Sequence, residues 1–244
     1  MVSIYKEFED YVNSFNILDK GINRKLFHSK RVAVINAKLA MDLKWSLDDV
    51  KLAKQIGLLH DIGRFDEWKK FKKYGKTKFD HGEHGINILK SNNYINKFNV
   101  LKEADKDILY EAIYYHNKYQ LPKNINKHAK LLRDADKIDI LYLHTINNKL
   151  YSYNNNYSNI ISSKIHKDFM EEKCILVEDV NTYAEFIVLT LAFIYDINYE
   201  YSIKIIKENN FINKIYNKLD NKEIYEAYFN KINNYIEKRL KNVR

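Results

Sequence analysis

Apolar positions recur along most of the chain at intervals of three and four, the spacing of amphipathic helices. Between Arg24 and Met41, the residues Val32, Ile35 and Leu39 form one stripe. Ser46 with Asp49 reads as a capping box opening a helix whose inner face is Leu47, Val50, Ala53, Ile56 and Gly57. Phe65 to Phe79 is basic and aromatic, contains Gly75, and reads as a loop or partial helix. Asp80 with Glu83 repeats the capping pattern and starts a helix running to about Lys90. Further helices are predicted over Asp105 to His116 and Lys127 to about Asn147, with Pro122 in the link between them. From about Leu150 the character changes. Asn and Tyr crowd Tyr151 to Ile160, and two or three helices follow, including the apolar Phe186 to Tyr195 and a lysine-rich tail. No repeat of solenoid length is present. The pattern predicts an all-α fold, a helical domain over 1–148 with a helical C-terminal extension, 149–244, packed on it.

Composition narrows this further. The chain has 244 residues, 45% hydrophobic and 30% charged, enough for a sizeable core. Six Gly and one Pro are too few for many-stranded sheets joined by tight turns. A lone cysteine, Cys174, excludes an internal disulfide framework and suits a reducing cytoplasm. The apolar run Phe186 to Tyr195 is far short of the ~18 residues a membrane span needs. Lys6, Glu7, Glu9 and Asp10 stand where an export signal would be apolar. The expectation is a cytoplasmic protein without a membrane partner. Its formal charge of +9, from 41 basic and 32 acidic residues, favours anionic partners. The lysines are interspersed with acids, so no concentrated basic stripe marks a nucleic-acid surface.

The informative residues are polar side chains on apolar stripes. His28 extends the Val32, Ile35, Leu39 stripe by one turn. His60 continues Ala53, Ile56 and Gly57, and Asp61 follows it directly. His81 shares a helix face with His84, Gly85 and Ile88, and His116 ends the face of Ile108, Leu109 and Ala112. A polar group in a core must be hydrogen-bonded or bound to a cation, so histidines on four helices beside a carboxylate are candidates for a metal site. On the next helix Asp136 lines up with Ala129, Leu132, Ile140 and Leu143, whereas Asp134 lines up with Lys130 and Lys137. Asp136 is therefore expected to face inward and Asp134 to lie on a solvated face. His128, His144 and His166 lack a partner motif and are expected to be structural.

The ordered set resembles the HD-domain superfamily of metal-dependent phosphohydrolases. The stretches that carry the resemblance lie within about 24–145: His28-Ser29-Lys30-Arg31-Val32, His60-Asp61-Ile62-Gly63-Arg64, Asp80-His81-Gly82-Glu83-His84-Gly85, Ala112-Ile113-Tyr114-Tyr115-His116-Asn117, and Ala135-Asp136-Lys137. The last is similar to the closing Ala-Asp motif of the family and selects Asp136 again. The resemblance implies an HD-domain helical bundle in which His28, His60, Asp61 and Asp136 hold one metal. His81 and His116 would hold a second, with Asp61 bridging; His84 is the second choice for the His81 position. Imidazole and carboxylate together suit two divalent transition-metal ions, Mn, Fe, Co, Ni or Zn, and a purely hard Mg or Ca site would use oxygen ligands.

The implied reaction is hydrolysis of a phosphate ester or anhydride by a metal-bridging hydroxide, the metals stabilising charge on the phosphoryl oxygens. The substrate would be a small phosphorylated molecule, with a nucleotide favoured. Besides the bridging Asp61, Arg64, one turn beyond it, and Lys137, beside Asp136, are candidates for catalysis and substrate binding, and Lys118 for substrate binding. Trp68, Phe71 and Tyr74, among six lysines between Phe65 and Phe79, are expected to anchor that loop on the core, with base stacking as the alternative. Two other readings compete: a di-iron oxygenase on the same ligands, and a non-catalytic nucleotide- or RNA-binding module, against which the unbroken ligand set argues. The extension could serve as a homo-oligomer surface.

Overall fold

The computed structural model describes residues 4–98, 102–146 and 158–241, and among these the regular structure is entirely helical. The helices are α1 (Ile4–Val12), α2 (Lys20–Asp42), α3 (Leu47–Leu59), α4 (Arg64–Phe71), α5 (His81–Lys90), α6 (Glu103–Tyr115), α7 (Lys127–Ile146), α8 (Ser163–Met170), α9 (Tyr183–Ala192), α10 (Glu200–Glu208), α11 (Phe211–Tyr216) and α12 (Glu226–Lys241). Short 3-10 turns follow α5, α8, α9 and α11. No helix among the described residues is long and apolar enough to cross a membrane.

The expected starts of α3 and α5 are where the capping residues place them. Ser46 Oγ accepts from the Asp49 N–H at 3.1 Å, and Asp80 accepts from the Glu83 N–H at 3.1 Å. The basic stretch after Phe65 is half helix, α4, ended by Lys72 in the left-handed region at φ 52°. Helix α1 carries no motif and escaped the sequence pattern; it buries Phe8 and Val12.

The chain divides into two compact units between Asp136 and Lys137, inside α7. The expected boundary at 148, and most of the polar connection after Tyr151, lie outside the described residues. In the first unit α2 packs along α3. Asn36, wholly buried, donates to the Ala53 carbonyl at 2.7 Å and fastens the two helices. Gly57 lets them approach: a Cβ there would lie 2.8 Å from Ala33 Cα and 2.9 Å from the Val32 carbonyl oxygen. Leu39, Leu52, Ile56, Leu59, Leu109 and Leu132 belong to the buried core of this unit.

The second unit holds more, shorter helices than the pattern suggested. Helix α9 is buried on every face, as its continuous apolar run requires, and its start is a full capping box of Thr182 and Glu185. Left-handed Asn210, at φ 54°, separates α10 from α11, and left-handed Asn221, at φ 52°, precedes the turn before α12. Asn tolerates this conformation better than most residues, so it breaks helices here in a chain with almost no Gly or Pro.

Candidate metal centre

Five helix ends or faces of the first unit converge on one point. His28 comes from α2, His60 from the residue capping α3, and Asp61 from the turn after it. His81 opens α5, His116 caps α6, and Asp136 lies on α7. Asp61 is the centre of the arrangement, and its two oxygens face different pairs. Oδ2 lies 3.5 Å from His28 Nε2 and 3.5 Å from His60 Nε2. Oδ1 lies 3.6 Å from His81 Nε2 and 3.6 Å from His116 Nε2. Asp136 Oδ1 joins the first pair, 3.0 Å from His28 Nε2 and 3.8 Å from His60 Nε2. His81 and His116 bring their Nε2 atoms within 3.0 Å of each other.

Backbone bonds fix the rings. His60 Nδ1–H donates to the Gly57 carbonyl at 2.8 Å, and His116 Nδ1–H donates to the Ile113 carbonyl at 2.6 Å. A neutral imidazole so held presents its Nε2 lone pair to the cluster, the usual second bond of a metal-ligating histidine. His60 Nε2 is buried and has no hydrogen-bond partner among the described residues. An unpartnered buried nitrogen between two carboxylates fits a cation-binding position. The ligand atoms of His28, His60 and Asp136, and those of His60, Asp61 and His116, each lie within 4.8 Å of one another, compact enough to hold an ion. The donor set thus fits divalent transition metals.

The electrostatics agree. Burial opposes ionisation of Asp61, but Lys25 and His60 outweigh it and hold the carboxyl well below its usual range. Burial likewise opposes ionisation of Asp136, and the neighbouring His28 and His60 again prevail. His60 is disfavoured as a cation by burial, yet Asp61 and Asp136 push its pKa up to about 10. Two buried carboxylates therefore attract positive charge strongly at this point. His81 and His116, where burial dominates, are held neutral.

Positioning residues brace the cluster. Asp80, the N-cap of α5, also accepts from Asn117 Nδ2 at 3.0 Å and pairs with Lys118. One carboxylate thus ties the helix ends carrying His81 and His116. Buried Arg133 donates through Nη1 to the carbonyls of Tyr115 at 2.8 Å, His116 at 3.1 Å and Lys118 at 2.6 Å, clamping the end of α6 to α7. Gly63 allows α5 to pass: a Cβ there would stand 2.3 Å from the His81 carbonyl oxygen.

The other expected site residues fall differently. Arg64 Nε lies 3.6 Å from Asp61 Oδ1, and its Nη1 is held 2.5 Å from buried Glu67. Lys118 is engaged by Asp80, and Lys137 by Asp196 at 2.6 Å, so neither charge pairs with a metal-site carboxylate. His84 pairs with Asp66 at 2.8 Å and is not among the converging rings. Asp134 corrects the sequence reading: it is wholly buried, not on a solvated face, because α7 is enclosed on more sides than one apolar stripe implies. His128 is buried against Asp49 at 3.0 Å, and His166 bonds the Tyr228 hydroxyl at 2.8 Å, both structural as expected. Trp68 and Tyr74 do anchor their loop. Trp68 Nε1 donates to Asp19 at 2.6 Å, and the Tyr74 hydroxyl donates to the Gly21 carbonyl at 3.0 Å.

Lys25 is the residue the sequence reading passed over. Its ammonium lies 2.5 Å from Asp61 Oδ2. The available signal was its place one turn before His28, on the same face of α2.

No curated protein and no solved structure matches the chain. Residues 26–141 match the family model of the HD domain, a superfamily of metal-dependent phosphohydrolases, and that range encloses every residue of the His/Asp cluster. The match, the helical architecture and the His/Asp cluster agree: residues 26–141 are an HD domain, and the cluster within them is consistent with the metal site of that domain.

Proposed function

We propose that the chain is a phosphohydrolase using two divalent transition-metal ions to cleave a phosphate ester or anhydride of a nucleotide or small phosphorylated metabolite. The observation that carries this reading is the division of Asp61: one oxygen toward His28 and His60, the other toward His81 and His116, at nearly equal distances. That is the disposition a bridging carboxylate needs. His28, His60 and Asp136 would complete one site, and His81 and His116 the other. Such ions, when bound, supply an acidified water as nucleophile and a Lewis acid for the phosphoryl oxygens.

The chain's own groups do the rest. The histidines and Asp61 keep at most 7% of their side-chain surface exposed, so bulk water is excluded from the floor of the site. Asp136, Lys25 and Arg64 keep 18%, 16% and 18%, forming the rim that an incoming molecule meets first. Two of these three rim groups are cations, which favours phosphate as the arriving group over an oxidisable neutral substrate. Glu67 and Thr77 hold Arg64 in place, Glu67 accepting from both at 2.5 Å.

The test is a phosphate-release screen across nucleotides and small phosphoesters with Mn²⁺ or Co²⁺ added, run beside an O₂-consumption assay of the iron-loaded protein. Metal-dependent phosphate release supports the reading. Oxygen uptake without phosphate release would replace it with the di-iron alternative.

A further inference from the structure

We infer that the loop between α4 and α5 forms a binding site for an aromatic phosphate, a free nucleoside phosphate in chemical class, apart from the His/Asp cluster. Its lining residues include no member of that cluster, so occupancy of this site does not depend on the hydrolase reading.

A cavity of about 400 Å³ opens on this loop, lined by Lys70, Phe71, Lys73, Lys76, Thr77, Lys78 and Phe79. That volume suits a ligand of nucleotide size. Its wall is anchored from behind. Tyr74 is buried, donates to the Gly21 carbonyl at 3.0 Å and packs on Trp68 at a centroid distance of 4.8 Å. Thr77 donates to buried Glu67 at 2.5 Å. Turns at Lys72, Gly75 and Lys76, all at positive φ, send Tyr74 inward and leave Lys73, Lys76 and Lys78 exposed. The cations are thus presented by a pinned loop and need little ordering to meet a ligand.

Charge and ring chemistry together define the ligand. No carboxylate is among the lining residues. Lys70, Lys73 and Lys78 have no ion pair among the described residues. The acids near them in the chain hold other partners: Asp66 pairs with His84, Glu67 with Arg64 and Thr77, and Asp80 with Lys118 and Asn117. Like charges gathered in this way favour an anion of more than one charge, and phosphate is one. Phe71, expected with Trp68 and Tyr74 to anchor the loop, instead keeps 37% of its surface exposed. It meets Phe79 edge-on at 6.1 Å between centroids, and Lys70 lies 5.1 Å from its own centroid. An exposed ring beside cations is a platform for a planar ring that carries phosphate. Phosphate alone would leave Phe71 in water, and a neutral ring would leave the lysines unmatched. A nucleic-acid strand needs cations that track successive phosphates, whereas these surround one cavity.

The experiment is calorimetric titration of the full chain with the phosphonate analogue of AMP, in which carbon replaces the 5′ oxygen, with adenosine and with inorganic phosphate. The analogue cannot be hydrolysed, adenosine lacks the charge, and phosphate lacks the ring. The analogue is expected to bind at least about tenfold more tightly than either. Phe71→Ala, and Lys73→Gln combined with Lys78→Gln, should each lose about tenfold in analogue affinity. All three side chains are exposed, so melting temperature and metal content should hold. Asp61→Ala, which removes the central carboxylate of the cluster, should bind the analogue as the wild type does. Unchanged analogue affinity in both loop variants would overturn the inference, and so would equal wild-type affinity for analogue and phosphate. Loss of binding in an Asp61→Ala protein of wild-type helical content would place the ligand at the cluster and overturn it too. Single-stranded oligoadenylate bound more than about tenfold tighter than the analogue, with that gain lost in the lysine variant, would replace the free nucleotide by a strand.

Discussion

Gly63→Ala is a one-carbon perturbation whose consequence can be worked from the backbone. The added Cβ would lie 2.3 Å from the His81 carbonyl oxygen and 2.9 Å from the Gly85 nitrogen. Real Cβ contacts are essentially never under 3.0 Å, so the first turn of α5 must retreat by at least 0.7 Å, the difference between 3.0 and 2.3 Å. Both neighbours are backbone, and no rotamer change can absorb the clash. Overpacking of this kind costs about 1–3 kcal/mol. The sharper effect is on His81, whose carbonyl is the atom struck. Metal–ligand distances tolerate only about ±0.2 Å, so a displacement several times larger should remove His81 from its ion. The expected outcome is a folded protein that retains the ion of His28, His60 and Asp136 and loses the one of His81 and His116. Metal analysis after exhaustive dialysis reads this as a fall from two ions per chain toward one, with a lowered melting temperature. Two ions retained with unchanged melting would refute both the tight passage of α5 and its role in placing His81.

Other outcomes follow from named contacts. His116→Ala should also reduce the stoichiometry toward one ion, read by the same metal analysis, because His116 supplies an Nε2 within 3.6 Å of Asp61. Asp134→Ala should destabilise the protein by about 2–4 kcal/mol in thermal or urea melts, since it removes a buried carboxylate and strands its partners; metal content should stay the same. His144 is buried beside Phe186, its Nδ1 without a hydrogen bond, and burial, reinforced by Lys218, pushes its pKa down to about 4. The unfolded chain binds this proton near pH ~6.5. Its contribution to stability is therefore present above that pH and lost as pH falls toward about 4, on the order of 3 kcal/mol. His144→Leu should flatten the stability profile over this window, and an unchanged slope would show that another group titrates there.

The gathering of His and Asp side chains was legible in the sequence because polar residues on apolar stripes carry their own anomaly. His28, His60, His116 and Asp136 each interrupt a helical face, and each lies where the interruption predicts. The capping residues Ser46 and Asp80 set helix starts through local bonds, which local sequence reveals. Contacts between distant elements were not legible. Lys25 looks like any surface lysine until α2 is laid beside the turn carrying Asp61, and Arg133 until α6 and α7 are seen together. Asp134 is buried although it lies off the apolar stripe, because α7 is enclosed more widely than one stripe defines. Lys118 and Lys137 sit beside ligands in the sequence, yet on a helix or a helix end adjacent residues point apart, and each meets a carboxylate of its own.

The most direct measurement is elemental analysis of the purified wild type beside Asp61→Ala. Two transition-metal ions per wild-type chain, and near-complete loss from Asp61→Ala with its helical content retained, is the predicted result. A wild type that holds no metal after loading, or an Asp61→Ala protein that binds as many ions as the wild type, would contradict the shared carboxylate on which the reading of this site depends.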